Sequence, residues 1–247
     1  MAVDFARSFD RAAADYERGR PGYAESALDA LGLPAGAHVL DLAAGTGKLT
    51  RQLVRRFERV VAVEPLDGMR KVLERLVPEA EVRRGTAEDI PLAECEVDAA
   101  FVGEAFHWFS GPIALVELAR VLRPGGTLAV LFNVADGEFD PSLPPEFWET
   151  FEARALEKDA AQRVGSGIWR QPFPGPFEEL RHASFPNPFR VDRDGLIAHV
   201  SSWSTVAALP DGERASLVED LRSLAPEGEF VLPLRTDLYW TRLRSAT

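Results

Sequence analysis

The stretch His38–Thr50, HVLDLAAGTGKLT, decides the fold of this chain. An apolar run ends in Asp41 and leads into a loop with Gly45 and Gly47, after which a helix is predicted. A second apolar run, VVAVE, closes on Glu64, seventeen residues after Gly47. This order of strand, glycine loop, helix and acid-terminated strand is typical of folds that bind a nucleoside across the carboxyl ends of two parallel strands.

The glycine loop alone is compatible with three kinds of cofactor. A mononucleotide phosphate loop requires Ser or Thr after its lysine, whereas Leu49 follows Lys48, and it requires a glycine where Leu42 stands. A dinucleotide loop requires a third glycine for close helix–strand packing, and Thr50 occupies that position. The sequence of this loop therefore argues strongly against a mononucleotide phosphate-binding site and disfavours a dinucleotide cofactor.

Glu64 narrows the choice further. An acidic side chain at the end of the second strand accepts charge-assisted hydrogen bonds from both hydroxyls of a ribose. The same negative charge disfavours a cofactor with a 2′-phosphate. The alternative interpretation is that Glu64 is an exposed glutamate at the end of a strand and binds no ligand.

The composition limits the class and the partners of the protein. The 247 residues, 46% hydrophobic and 27% charged, predict one globular domain with elaborations. The net charge of −11 argues against a non-specific nucleic-acid binder. Cys95 is the lone cysteine and residues 1–20 lack the apolar core of a signal peptide, so we expect a cytoplasmic protein. The sequence has no long apolar window, so we expect no membrane span.

A strand–helix alternation surrounds the glycine loop. Consecutive parallel strands need right-handed crossovers, so their carboxyl ends meet at one edge, where loops build a site. The predicted strands are 38–42, 60–63, 81–84, 97–102 and 127–133, and the predicted helices are 25–31, one marked by Leu49, Leu53, Val54 and Phe57, 67–77 and 112–122.

The pattern changes beyond residue 134. Proline and aromatic residues become frequent through 141–189, which favours an apolar layer or lid over the site rather than a solvated linker. A strand near 183–191, helices near 193–203 and 211–224, and a last strand at 229–240 are expected to complete the sheet.

Two further loops are expected at the site. GTAEDIPL, residues 85–92, follows the third strand and offers backbone N–H groups and a short polar side chain to an adenine edge. The segment 97–110 ends the fourth strand. It places Gly103, Glu104, His107 and Trp108 beside the reactive end of a nucleoside.

These motifs, in this order, resemble those of the class I S-adenosylmethionine-dependent methyltransferases. Within that class the chain is similar to the small-molecule group that includes the ubiquinone/menaquinone-biosynthesis and trans-aconitate methyltransferase-like enzymes. The landmarks cover most of the chain and are FDRAAADYERGRPGY, VLDLAAGTGKLT, VVAVEPLDGM, GTAEDIPL, GEAFHWFS, LARVLRPGGTLAV and VLPLRTDLYW.

The resemblance implies a fold and a domain plan. The fold is α/β, a Rossmann-like three-layer sandwich with a mostly parallel seven-stranded sheet, an antiparallel C-terminal strand and a helical, aromatic lid. Residues 1–247 are expected to form a single methyltransferase domain. It comprises an N-terminal lid (1–24), a cofactor-binding core (25–135) and a lid insertion with the completion of the sheet (136–247).

The resemblance also assigns cofactor contacts. Near the methionine moiety and the ribose it places Ala43, Gly45, Gly47 and Glu64; near adenine it places Pro65, Met69, Thr86, Ala87 and Glu88; near the sulfonium it places Gly103. Thr86 stands where many relatives have Asp, so its contact to the adenine amine is expected to be a weaker, neutral one. The loop reads AAGTG rather than GCGTG, which slightly restricts its backbone.

The N-terminal segment adds candidates for a lid. Arg20 resembles a residue that pairs with the cofactor's carboxylate, and Tyr16 and Tyr23 are expected to close the same lid. A surface arginine with two packed tyrosines is the alternative.

His107 and Glu104 are the candidate catalytic residues. His107 is a general base only if the acceptor must lose a proton, and otherwise lines the pocket. Glu104 either acts electrostatically on the sulfonium or is solvated. His107 and Trp108, with Trp148, Trp169 and Trp203 from the lid, are the expected lining of an acceptor pocket.

The predicted reaction is methyl transfer from S-adenosylmethionine to an oxygen or carbon nucleophile of a small, hydrophobic or amphipathic acceptor. In-line displacement from an activated donor needs alignment and exclusion of water, and no His/Cys/Asp/Glu set has metal-ligand spacing. Two alternatives stay open, a nicotinamide-dependent oxidoreductase and a catalytically silent nucleoside-binding protein. The sequence indicates neither the acceptor nor the oligomeric state.

Overall fold

A computed structural model of the chain describes residues 13–137, 143–155 and 166–244. Parts of the predicted N-terminal lid (1–24) and of the aromatic segment (141–177) lie outside the described residues. The described strands are β1 (His38–Leu42), β2 (Arg59–Val63), β3 (Glu81–Arg83), β4 (Val97–Gly103), β5 (Leu122–Ala135), β6 (Arg181–Pro186), β7 (Phe189–Asp192), β8 (Glu229–Leu232) and β9 (Leu234–Arg242).

The described helices lie between and after these strands. They are α1 (Ala13–Gly19), α2 (Glu25–Asp29), α3 (Thr50–Leu53), α4 (Asp67–Leu76), α5 (Gly111–Val121), α6 (Pro145–Arg154), α7 (Arg193–Ser201), α8 (Ser204–Ala207) and α9 (Asp211–Leu224). Short 3₁₀ turns cover Phe106–Trp108 and Ile168–Arg170. The helix after the glycine loop is thus a single turn, and α6 had no predicted counterpart.

The central sheet has seven strands in the order β3-β2-β1-β4-β5-β9-β6. The strands from β3 to β5 are parallel, and β9 runs antiparallel between β5 and β6. This confirms the predicted mostly parallel sheet with an antiparallel C-terminal strand. The carboxyl ends of β1, β2 and β4 consequently meet at one edge.

Both faces of the sheet are covered, which explains the continuous apolar strands. On one face, Leu40 and Val102 pack with Leu115 of α5 in a buried cluster. On the other face, Val39 and Phe101 pack with α2 and α3. Successive strand residues alternate between these faces, so Gly103 follows Phe101 onto the α2/α3 face.

Two predicted strands are each divided in the structure. The predictions of single strands at 183–191 and 229–240 were wrong, because β6 and β9 belong to the main sheet whereas β7 and β8 form a separate two-stranded sheet. Pro186, Pro188 and Pro233 lie at the two breaks, where their missing N–H groups cannot extend a ladder. The diverted strands pack with α6, α7 and α9 around a third buried cluster, and we call residues 189–232 with α6 the C-terminal module.

Gly47 fixes the glycine loop against α4. Its φ of 90° lies in the region that favours glycine, and a Cβ there would stand 2.5 Å from Cδ1 of Leu73 and 3.0 Å from Cγ2 of Val77. The side of Gly47 that a side chain would occupy therefore contacts the core rather than a ligand.

We predict that Gly47→Ala lowers the free energy of unfolding by about 2–4 kcal/mol through left-handed strain and overpacking. Gly36→Ala is the matched control, because a Cβ at Gly36 has nothing within 4 Å. That control is expected to be neutral or up to about 1 kcal/mol more stable. Urea unfolding measures both variants, and equal stabilities would contradict the packing described for Gly47.

Candidate functional site

The Glu64 carboxylate joins the loops that follow β1 and β2. Its Oε2 accepts a hydrogen bond of 2.8 Å from the N–H of Gly45, and its Oε1 accepts one of 2.8 Å from the N–H of Leu66. Only 4% of Glu64 is exposed. The alternative of an exposed strand-end glutamate is therefore wrong, because this carboxylate is buried at the junction of the two loops.

Asp41, the second-last residue of β1, is a second buried carboxylate. Thr50 donates its hydroxyl to Oδ2 of Asp41 at 2.6 Å, and both residues are buried. Burial raises the pKa of Asp41 to about 7, the bonds from Thr50 lower it, and the nearby charge of Glu64 raises it. Thr50, which stands where a dinucleotide loop has its third glycine, thus stabilises the acid at the end of β1.

Glu104 supplies a third carboxylate at the end of β4. It has a φ of 55°, an uncommon conformation for a residue with a side chain. Its Oε1 accepts a hydrogen bond from the N–H of Asn133, on the neighbouring strand. Burial raises the pKa of Glu104, while the Arg20 guanidinium lowers it. Glu104 is therefore a fixed part of the site and not a solvated side chain.

Tyr16 lies among these three carboxylates. Burial raises the pKa of its hydroxyl to about 12, Arg20 lowers it, and the charges of Glu104, Glu64 and Asp41 raise it. Cε1 of Tyr16 is 3.9 Å from the position of a Cβ on Gly45. The Tyr16 ring and the Glu64 carboxylate thus both lie beside Gly45 of the glycine loop.

Tyr23 reaches the end of β4. Its hydroxyl lies 2.3 Å from the position that a Cβ on Gly103 would occupy, so a side chain at this glycine would collide with it. Only 7% of Tyr23 is exposed. Burial raises the pKa of this hydroxyl well above its usual value, and the charge of Glu104 adds to the increase.

Helix α1 is fastened to the glycine loop through Glu17. This carboxylate accepts a hydrogen bond of 2.7 Å from the Thr46 hydroxyl and forms ion pairs with Arg51 at 2.6 Å and Lys48 at 3.4 Å. The N-terminal segment therefore covers the site from above the loop.

The other end of α1 is held by the C-terminal module. Arg20 lies over the Tyr16 ring, with 5.5 Å from Cζ to the ring centroid, and donates to Oγ of Ser202 at 2.9 Å and to its carbonyl at 3.2 Å. Nδ1 of His199 is 2.7 Å from the Gly19 carbonyl. Burial lowers the pKa of His199 to about 4, so this ring is neutral and donates to that carbonyl. The structure thus gives the Arg20 guanidinium a protein partner, where the resemblance assigned it to a cofactor carboxylate.

The residues that the resemblance assigned to adenine differ in their burial and in their hydrogen bonds. Met69 and Ala87 are buried, 3% and 5% exposed, so each offers little accessible surface to a ligand. The Glu88 carboxylate accepts a hydrogen bond of 2.8 Å from the N–H of Ser110, which ties two loops at this edge together. The exposed Thr86 pairs its backbone with that of Asp89.

Besides Gly45, two positions of the assigned set retain accessible surface beside Glu64. Ala43 and Pro65 are half-buried, and Ala43 has a φ of 57°. The alanine in place of a glycine is thus held in the left-handed region, where a Cβ costs about 1–2 kcal/mol.

His107 lies on the opposite face of the sheet from Tyr23. Its ring centroid is 5.8 Å from that of Phe132 and 4.8 Å from that of Trp108. Phe132 belongs to the α5 face, whereas Gly103 turns toward Tyr23. His107 and Glu104 therefore contribute to different walls of the same edge.

The three tryptophans predicted for the acceptor pocket do not converge. Trp169 is 7% exposed and packs in the α5-face core, 5.1 Å from Phe132 between ring centroids, so its prediction as a lid residue was wrong. Trp148 and Trp203 are half-buried in the C-terminal module, each in edge-to-face contact with Phe151. Edge-to-face packing of large rings stabilises a core, which explains why these aromatic residues are internal.

Several site residues carry no signal that marks them in the sequence. Gln52, Asn133 and Glu17 act through hydrogen bonds to residues far away in the chain. Asp41 had a usable signal, since it ends the first strand directly before the glycine loop.

Comparison with known proteins identifies the family. A family model described as a methyltransferase domain matches residues 40–130. An uncharacterized methyltransferase of Mycobacterium tuberculosis is 51% identical over 134 residues, 54% of this chain and 55% of that protein. The matched part thus spans about half the length of this relative. An uncharacterized methyltransferase-like protein of Schizosaccharomyces pombe is 31% identical over 228 residues, 89% of this chain and 86% of that one.

A solved structure agrees with these relatives. A protein from Anaeromyxobacter dehalogenans, assigned as a type II methyltransferase, superposes with a TM-score of 0.66 at 27% identity, over 92% of this chain and 99% of that chain. The chain belongs to the class I S-adenosylmethionine-dependent methyltransferase family. Among the described residues, no helix is both long and apolar enough to cross a membrane.

We predict that Asp41 makes stability fall with increasing pH. Its pKa is raised from 3.8 to about 7 on folding, so the folded state binds a proton that the unfolded state releases between these values. Relative to Asp41→Asn, the wild type is expected to lose up to about 1.4 kcal/mol of unfolding free energy per pH unit between pH 4 and 7.

Chemical unfolding at several pH values measures this difference. Asp67→Asn is the control, because Arg70 lowers the pKa of that exposed carboxyl, and its effect is therefore confined to acidic pH. A constant difference between Asp41→Asn and wild type from pH 5 to 7 would show that Asp41 is ionised throughout.

Proposed function

We propose that the protein transfers a methyl group from S-adenosylmethionine to an oxygen or carbon nucleophile of a small, hydrophobic or amphipathic acceptor. The observation that carries this proposal is the buried Glu64 carboxylate between the loops after β1 and β2, with the carboxylates of Asp41 and Glu104 at the same edge, on β1 and directly after β4. Desolvated carboxylates favour a cationic ligand over an anionic one. S-adenosylmethionine carries a sulfonium and an ammonium group, whereas a nicotinamide dinucleotide brings a negatively charged diphosphate.

The residues at the edge fit this cofactor. We assign Glu64 to the ribose hydroxyls, because a carboxylate has about four lone-pair sites and can accept several hydrogen bonds at once. Ala43 and Gly45 border the methionine moiety, Pro65 and the backbone of Thr86, Ala87 and Glu88 border adenine, and Gly103 permits close approach at the sulfonium. Gly47 and Met69 support the loop and the adenine wall from within the core.

His107 and Trp108 form the acceptor side in this proposal. Both residues are half-buried, and the His107 ring packs between the Trp108 ring and the buried Phe132 ring. An aromatic wall favours an apolar acceptor body, while the imidazole accepts a proton from an acceptor hydroxyl, phenol or carbon acid. Tyr16 and Tyr23 exclude water from the opposite side.

In this proposal the protein promotes the reaction mainly by aligning the cofactor and the acceptor. When bound, S-adenosylmethionine supplies a methyl group already activated on sulfur. The chain's own residues orient the two reactants, and such alignment contributes roughly 7–11 kcal/mol to lowering a barrier. Exclusion of water by Tyr16, Tyr23 and the loop-bound helix α1 keeps the acceptor nucleophilic.

We predict that S-adenosylmethionine and its demethylated product, S-adenosylhomocysteine, stabilise the protein. At about 100-fold over Kd the stabilisation is roughly 2.7 kcal/mol, seen as a thermal shift. Glu64→Ala is expected to weaken both ligands about 10- to 100-fold, because charge-assisted bonds to the ribose are lost.

The control for this experiment is Glu58→Ala. Glu58 is exposed and precedes β2, at the far end of the strand that closes on Glu64. If NADH stabilises the folded protein, and neither S-adenosylmethionine nor S-adenosylhomocysteine does, the proposal is overturned in favour of an oxidoreductase.

We also predict that His107→Gln separates cofactor binding from turnover. Affinity for S-adenosylmethionine is expected to stay within about twofold of wild type. Transfer of labelled methyl to a hydroxyl, phenol or carbon-acid acceptor is expected to fall about 100-fold, the lower range of general-base effects. His182→Gln, which changes a half-exposed histidine on β6, is the matched control. A tenfold loss of cofactor affinity in His107→Gln would place this ring in the cofactor site instead.

A further inference from the structure

The Gln52 side chain substitutes for a neighbouring strand at Tyr23. Its Oε1 accepts a hydrogen bond of 2.8 Å from the N–H of Tyr23, and its Nε2 donates one of 2.8 Å to the carbonyl of the same residue. The second N–H of the amide donates to Oε1 of Glu25 at 2.8 Å. Only 6% of Gln52 is exposed. One buried amide therefore satisfies both backbone groups of a residue 29 positions earlier in the chain.

The neighbours of Tyr23 are held by other elements. The carbonyl of Gly22 accepts from Nδ2 of Asn133 at 3.1 Å and from Nδ2 of Asn187 at 2.9 Å. The N–H of Ala24 donates to the Thr236 hydroxyl at 2.9 Å. Side chains thus fix residues 22–24, and Gln52 is the one that contacts the backbone of Tyr23 itself.

The position of the Tyr23 backbone sets the position of its hydroxyl. That hydroxyl lies directly over Gly103, within 2.3 Å of a Cβ placed there. In the proposed function, Gly103 borders the sulfonium, where the donor methyl lies. A small shift of the Tyr23 backbone therefore moves a polar group at the reacting end of the cofactor.

Glutamine suits this task better than other residues of similar size. The Tyr23 backbone offers one donor and one acceptor side by side, and an amide provides the complementary acceptor and donor. Glutamate accepts from the N–H but repels the carbonyl and adds a charge beside Glu25. Leucine satisfies neither group.

We infer that Gln52 is a positioning residue for methyl transfer, holding the backbone of Tyr23 so that its hydroxyl lies at the methyl-bearing end of the cofactor site beside Gly103. The inference rests on the proposed function. It extends that function to a residue of α3 that contacts the site only through Tyr23.

The test compares Kd values for S-adenosylmethionine and S-adenosylhomocysteine by calorimetry, since these ligands differ only in the methyl group and its charge. Gln52→Leu and Tyr23→Phe are each expected to change the ratio of the two Kd values about 3- to 10-fold, the effect of about one hydrogen bond. The double variant is expected to match the single ones, because both changes act through the same hydroxyl.

Glu25→Ala is the matched control, since it removes the outer partner of Gln52 and leaves both bonds to Tyr23. Its Kd ratio is expected to equal that of the wild type. If Gln52→Leu does not fold, Gln52→Glu, which keeps the bond from the Tyr23 N–H, serves in its place with an expected change of about threefold.

Equal weakening of both ligands in the Gln52 variant, an unchanged ratio, or the same change in Glu25→Ala would overturn the inference. Absence of binding of either ligand to the wild type would instead overturn the proposed function.

Discussion

The functional edge of this protein depends on the buried Glu64 carboxylate. A desolvated charge needs hydrogen-bond partners, and Glu64 obtains them from the backbone of Gly45 and Leu66, in the loops after β1 and β2. The residue assigned to the ribose therefore also fixes the loops that border it. Asp41 and Glu104 add two more carboxylates whose pKa values are raised by burial. Such a set is unfavourable by itself, and in the proposed function the cationic cofactor offsets the unfavourable charge.

The N-terminal segment completes the site because it is anchored at several points. Glu17 binds the glycine loop, Arg20 binds Ser202 of the C-terminal module, and Gln52 holds Tyr23 from below. These contacts join regions that are up to 182 positions apart in the chain. The segment from Gly22 to Ala24 pairs with no strand in the described part of the chain, so these side chains take the place of a sheet. Closure of the cofactor site is thus a property of the folded chain and not of a single loop.

The sequence was sufficient for the parts that depend on local pattern. Apolar runs and the spacing between Gly47 and Glu64 predicted β1, β2 and the edge where they meet, since a parallel sheet requires buried strands and crossovers. It was insufficient where a single residue redirects the chain. Pro233 divides the segment 229–240, predicted as one strand, between two sheets, and its sequence pattern alone does not show which sheet each half joins. Gln52 is a polar residue within a predicted helix, and its bonds to Tyr23 depend on the tertiary fold, which the local pattern does not reveal.

In the proposed reaction, the two faces of the sheet supply different walls of the site. Tyr23 lies over Gly103 on the α2/α3 face, while His107 packs against Phe132 on the α5 face. In-line displacement needs the acceptor and the sulfur on opposite sides of the transferred carbon, so walls from opposite faces at one strand end suit such a geometry. The cofactor half of this edge consists of backbone groups and carboxylates, which recognise features common to every reaction of this cofactor. In the proposed function the acceptor half consists of aromatic side chains, and we expect selectivity for an acceptor to reside in the segment around His107 and Trp108.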